Sequence, residues 1–166
     1  MTHPLISHFQ MLARYNALAN EKLYAACARL SDSERKQRRQ AFFTSIHGTL
    51  NHILLGDRIW LARFAGQQAP STGLDTVLYK EFEALLAARR TEDARIDAFA
   101  DGLTEAFLAG SIRYVNNAGK PCDDPMPLLV AHFFNHQTHH RGQVHGLLTQ
   151  TEVPPPSLDL HRVLRP

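Results

Sequence analysis

Between about Pro4 and Leu30 the chain has no internal glycine or proline, and Phe9, Leu12, Ala13, Tyr15, Leu23, Tyr24 and Cys27 recur at intervals of three and four. That spacing predicts an amphipathic helix, with Pro4 in its first turn where a missing N–H costs nothing. Ser31-Asp32-Ser33-Glu34 stops it and offers new caps. The run Glu34 to Arg39 reads as a solvated connection, since no aromatic residues interleave with its charges to suggest a nucleic-acid contact. A second helix is predicted from Phe42 to Phe64, on the heptad stripe Phe43, Ile46, Leu50, Ile53, Asp57, Trp60 and Phe64. Gly66 closes it, and the segment to Gly73 is a loop containing Pro70.

A third helix is predicted from about Thr76 to Asp101, with Leu78, Phe82, Leu85, Leu86, Ile96 and Phe99 on one side and charged residues on the other. From Gly102 to Pro127 the helical pattern fails. There Ser111–Val115, the turn Asn116-Asn117-Ala118-Gly119 and Lys120-Pro121-Cys122 fit a short hairpin, although Pro121 limits pairing. The last helix runs from about Pro125 to Gln150, and Val153-Pro154-Pro155-Pro156 opens an extended tail. Four long helices on short links in a chain of 166 residues describe an all-α, single-domain four-helix bundle spanning residues 1–166.

Composition narrows the possibilities. A formal net charge of +2 gives no polyelectrolyte field to recruit nucleic acid or membrane, and no apolar run is long enough for a membrane helix. Met1-Thr2-His3-Pro4 lacks the basic start and long apolar stretch of a signal peptide, and two cysteines make no disulfide framework. A reducing, cytoplasmic setting is expected. The anomaly is ten histidines.

On a wheel at about 100° per residue, Leu129, Phe133, His136, His140, Val144 and Leu147 form one stripe of the last helix. His136 and His140 lie one turn apart where the core should be, and imidazoles at i and i+4 can converge on one point. His132 extends the row, whereas His139 and His145 fall off it. Two readings fit. Either the pair is buried and satisfied by hydrogen bonds, or a divalent metal takes both lone pairs. A third ligand would come from a facing helix, where His47 and His52 are available. His52 is slightly favoured because Ser45, Thr49 and Gly56 form a small-residue strip beside it that leaves room for a cavity. Asp57, inside an apolar stripe, needs a partner, a histidine or Arg58. His3, His8 and His161 are read as surface residues near the termini.

The strings Ser45-Ile46-His47-Gly48-Thr49-Leu50-Asn51-His52-Ile53-Leu54, Asp57-Arg58-Ile59-Trp60-Leu61 and Asn135-His136-Gln137-Thr138-His139-His140-Arg141-Gly142-Gln143 resemble the DinB (damage-inducible) family. Tyr15-Asn16 and Ala19-Asn20 do as well. The resemblance spans nearly the whole chain. It implies a four-helix bundle of the DinB/YfiT-like superfamily, which includes bacillithiol S-transferases and the metal-binding part of mycothiol-dependent maleylpyruvate isomerase. It also implies a divalent metal held by three histidines, which carried over by position are His52, His136 and His140. His47 falls where family members often carry an apolar or aromatic residue.

Three neutral imidazoles with open positions describe a catalytic-type zinc or nickel site, with iron or manganese also compatible. The leading expectation is a metal-dependent enzyme, a thiol S-transferase or a hydrolase. Its catalytic residues are not identified, and any thiol would come from a small-molecule cosubstrate because neither Cys27 nor Cys122 lies in a nucleophile motif. The alternative is a non-catalytic metal-binding stress-response protein. A DNA-binding role fits poorly with the weak charge. Finally, Phe42, Leu54, Leu55, Trp60 and Leu61 spread over well more than half of the second helix's wheel. Together with the resemblance, that surface leads to the expectation of a homodimer with the metal pocket opening near the interface.

Overall fold

The computed structural model describes residues 3–116 and 118–166. Met1 and Thr2, and Asn117 of the expected turn, lie outside them. Four long helices form the bundle: α1 (Pro4–Ala28), α3 (Ile46–Phe64), α4 (Phe82–Asp101) and α6 (Met126–Leu148). Between and after them come α2 (Asp32–Lys36), α5 (Glu105–Leu108), the strands β1 (Ser111–Val115) and β2 (Pro121–Pro125), and α7 (Leu160–Leu164). Helix α1 packs on α4 and α6, and α3 packs on α4 and α6, so the four close a ring around one interior.

Several boundaries differ from the periodicity for identifiable reasons. Helix α3 begins at Ile46 rather than Phe42 because Ser45 caps it, its Oγ accepting from Gly48 N at 2.9 Å, while Thr44 sits at φ 59°. Helix α4 begins at Phe82 rather than Thr76. The preceding residues give their backbone to α3 side chains: Asn51 Oδ1 accepts from Tyr79 N at 2.9 Å, and Asn51 Nδ2 and His47 Nε2 donate to Tyr79 O at 3.2 and 2.8 Å. The loop between α3 and α4 is thereby stapled across the outside of α3. The first half of the expected solvated connection, Glu34 to Lys36, lies instead in the short helix α2, which has a Ser31/Glu34 capping box. Its Arg35 is buried, donating to Cys27 O and Leu30 O at the end of α1 and covering the Phe82 ring at 4.3 Å.

The hairpin forms in spite of Pro121, which lies at the strand end opposite Val115, while Pro125 lies opposite Ser111. Both prolines therefore take terminal positions, which sheets tolerate. The tail is not wholly extended. Helix α7 buries Val163 against Tyr15 and Ala19, and Tyr15 Oη donates to Leu158 O at 2.7 Å.

The core is divided in two. One apolar cluster gathers Leu23, Tyr24 and Cys27 of α1, Leu50 and Ile53 of α3, Leu85 of α4, and Val144 and Leu147 of α6. The other gathers Phe9 and Ala13, Trp60 and Phe64, Ile96, and Phe133 and Phe134 from the same four helices. Between them every helix contributes buried polar residues at the same level: Asn16 and Asn20, Asp57, Arg89 and Asp93, Gln137 and Arg141. Asp57 is fully buried and accepts from Arg89 Nη1 and from Gln137 Nε2, the latter at 2.8 Å. Asp93 pairs with Arg89 at 3.0 Å and accepts from Asn20 at 2.9 Å, and Arg141 donates to Asn16. Two carboxylates and two guanidiniums thus form a charge-balanced belt, which explains an acid inside an apolar stripe. The partner of Asp57 is Arg89, not Arg58 or a histidine. Arg58 turns outward to Glu92 at 3.1 Å and the Tyr79 hydroxyl at 3.0 Å.

Candidate metal centre

At the level of this belt, on the face where α3 meets α6, His52, His136 and His140 come together. His52 Nε2 lies 3.2 Å from His136 Nε2 and 3.2 Å from His140 Nε2. Among the described residues these three form the one histidine, cysteine or carboxylate cluster with the convergence a metal ion requires, one ligand atom from each lying within 4.8 Å of the others. The i, i+4 spacing on α6 supplies two of the rings, and α3, running alongside, supplies the third.

The neighbouring groups decide which nitrogen of each ring carries the proton. His52 Nδ1 lies 2.8 Å from Leu74 O, and a carbonyl can only accept, so Nδ1 holds the hydrogen and Nε2 the lone pair. His140 Nδ1 lies 2.8 Å from Gln143 Oε1 and donates to it in the same way. Two lone-pair nitrogens, His52 Nε2 and His140 Nε2, then face each other at hydrogen-bond distance with no hydrogen between them. A divalent ion turns that repulsion into ligation, and an outer N–H held by a carbonyl or amide oxygen is the usual support of a ligating imidazole. The donor set fits such an ion.

Space and charge agree. A Cβ on Gly56 would stand 2.7 Å from His136 Cε1, so the bare backbone of α3 is the seat of that ring. Phe43 lies flat on His52, with ring centroids 3.8 Å apart and planes 18° from parallel, covering one side. Burial lowers all three imidazole pKa values, His52 to about 4, His136 to about 3 with its neighbouring histidines adding to the effect, and His140 in the same direction. The rings therefore stay neutral, the form that binds metal.

The cluster opens into a cleft of about 490 Å³ walled by Phe42, Ile59, Trp60, Arg63, Leu74 and Tyr114. His132 and His139 line it without joining the cluster. His132 rests edge-on against Trp60 at 5.2 Å, and His139 accepts from Gln143 Nε2 at 3.2 Å. His47 is elsewhere, donating to Tyr79 O. His8 and His161 are exposed, and His3 caps α1, its Nδ1 accepting from Leu5 N at 3.2 Å. Periodicity did not reveal Leu74, whose backbone carbonyl comes from an irregular loop. Gln143 was in view, within the quoted block and three residues after His140.

Comparison with known proteins agrees with this architecture. The model of the DinB family matches residues 1–166. The chain is similar to Protein DinB of Bacillus subtilis (strain 168), 25% identical over 155 residues, covering 84% of this chain and 83% of that protein. It also superimposes on the crystal structure of a DinB-like protein from Bacillus cereus with a TM-score of 0.62, at 20% identity, covering 84% of this chain and 89% of the other. With the family model matched along its whole length and the bundle shared with that solved structure, the chain belongs to the DinB family.

Proposed function

We propose that the protein is a metal-dependent enzyme of the thiol S-transferase or hydrolase type, with His52, His136 and His140 as the ligands of a divalent ion, zinc or nickel before iron or manganese. The observation that carries this reading is the convergence of three imidazole nitrogens at the inner end of a small-molecule-sized cleft, two of them fixed as lone-pair donors by Leu74 and Gln143. When bound, such an ion supplies Lewis acidity, lowering the pKa of water to about 7 or holding a thiol as its thiolate.

The chain's own residues do the rest. Leu74 O and Gln143 fix the ring planes of His52 and His140, so that both nitrogens point at one place. Phe43 excludes water from behind His52. The belt beneath the cluster holds α3 and α6 in register through the Gln137–Asp57 bond. The cleft favours a catalytic role over the non-catalytic stress-response alternative, because a purely structural site is closed by a fourth protein ligand. Two free cysteines support a cytoplasmic setting.

Elemental analysis of protein purified without added metal, followed by assays with low-molecular-weight thiols and with ester and amide substrates, tests the reading. About one divalent ion per chain and turnover abolished by chelation are expected. Metal-free protein that takes up no zinc or nickel overturns the ligand assignment, and stoichiometric metal without turnover leaves the stress-response alternative.

A further inference from the structure

The cleft carries a charge pattern that the three histidines do not explain. Among the described residues no aspartate or glutamate lines it, and its one permanently charged side chain is Arg63. Arg63 forms no salt bridge among the described residues and makes one hydrogen bond, from Nη2 to Val115 O at 3.3 Å. Its guanidinium carbon lies 4.7 Å from the ring centroids of both Trp60 and Tyr114. A guanidinium laid on aromatic faces keeps its in-plane N–H donors for an anion.

Position completes the picture. His52, Gly56, Ile59 and Arg63 follow one another along the cleft side of α3. Gly56, the seat of His136, and Arg63 are seven residues apart, which is about 10 Å along the helix axis. The wall between them on α3 is Ile59 and Trp60, apolar and aromatic, with the His132 ring of α6 set against Trp60. A cleft with a metal-binding cluster at one end, an arginine without a salt bridge among the described residues at the other, and a largely apolar wall between them matches an elongated molecule. A single guanidinium with no further charged donors suits a singly charged carboxylate better than a phosphate dianion.

We propose that Arg63 is the anion-binding end of this cleft, and that the ligand is an elongated apolar molecule with a terminal carboxylate whose other end reaches the three-histidine cluster. The second half rests on the metal reading above, and the first half does not.

Trp60 is the chain's one tryptophan and lies under Arg63, so its fluorescence reports the site directly. Metal-free protein is titrated with octanoate, octanol and octyl phosphate, and the titrations are repeated with Arg63→Met, which keeps an apolar stem over Trp60, and with Arg63→Lys. Octanoate is expected to bind about tenfold more tightly than octanol, the worth of one charged hydrogen-bonded pair. The advantage should vanish in Arg63→Met and be partly kept in Arg63→Lys. Equal affinity for octanoate and octanol in the unmodified protein overturns the proposal, as does an octanoate preference that survives Arg63→Met. Tighter binding of octyl phosphate overturns the choice of carboxylate. Zinc-loaded protein is then titrated with mercaptooctanoate and mercaptopropanoate. The long thiol should gain over octanoate and lose that gain on zinc removal, while the short thiol should be indifferent to Arg63→Met. A preserved octanoate preference with no gain from zinc sinks the metal reading and leaves the arginine site standing.

Discussion

Gly56 shows how one missing methyl makes room for chemistry. Gly in a helix interior costs about 0.5–1 kcal/mol relative to Ala, so Gly56→Ala should hold or raise the melting temperature. The new Cβ, 2.7 Å from His136 Cε1, pushes that ring out of the cluster. Zinc affinity should fall by about 10–100-fold while stability does not, and unchanged affinity by calorimetry would show that His136 is not seated there. His136→Ala should abolish metal binding with the helices intact by circular dichroism, whereas His139→Ala should leave it, because His139 lies outside the cluster. Acid acts on the same nitrogens. Protonated imidazole cannot ligate, and burial lowers His52 to about 4 and His136 to about 3. Protonating any one of the three ligands weakens the site, and His140 is lowered in the same direction, so protons compete with metal only below the ordinary histidine range. Zinc retention should stay flat from neutral pH down to about 6.5 and fall on further acidification, with its midpoint below that value. A midpoint near 6.5, the value of an ordinary exposed histidine, would contradict the burial described here.

At the scale of elements, the long helices were legible because their apolar residues recur with helical spacing, and the wheel of α6 put His136 and His140 on one face. His52 was only slightly favoured over His47 by periodicity, since both lie to the sides of the α3 stripe, and the family strings were needed to choose it. What separates them is the loop between α3 and α4, which hands Tyr79 O to His47 and Leu74 O to His52. That loop has no repeat to read. Its path is set by side chains of a helix it merely crosses. The Asp57–Arg89 pair was hidden for a similar reason, since α4 reads as apolar on one side and charged on the other, and nothing local says which arginine turns inward. Asp57→Ala removes one of the two carboxylates around the buried Arg89 guanidinium and leaves Gln137 Nε2 without its acceptor, and it should cost about 3 kcal/mol of unfolding free energy in urea titration. A cost below 1 kcal/mol would mean that the belt is not holding the bundle.

For the whole molecule, the sequence argument for a dimer changes its footing. Leu54, Leu55, Trp60 and Leu61 are all buried within one chain, because the stapled loop and the hairpin cover the side of α3 that a bare bundle would expose. The homodimer is therefore a proposal supported by the family resemblance and by exposed Phe42 and Leu74 on the cleft wall and Val115 beside its Arg63 end. Sedimentation at micromolar concentration should give twice the chain mass of 18.7 kDa, and a single-chain mass would overturn it. The belt has a consequence of another kind. Because polar residues from all four helices must meet at one height, sliding any helix by a turn buries a charge or an amide without its partner, so helix register is fixed independently of how the two apolar halves are filled. Those halves are free to accept Leu, Ile, Val and Met exchanges of equal volume. A lineage, or an engineer, can rewrite most of the interior while the three imidazoles keep their places, and can reshape the cleft wall at Ile59 or Leu74 without disturbing the register beneath it.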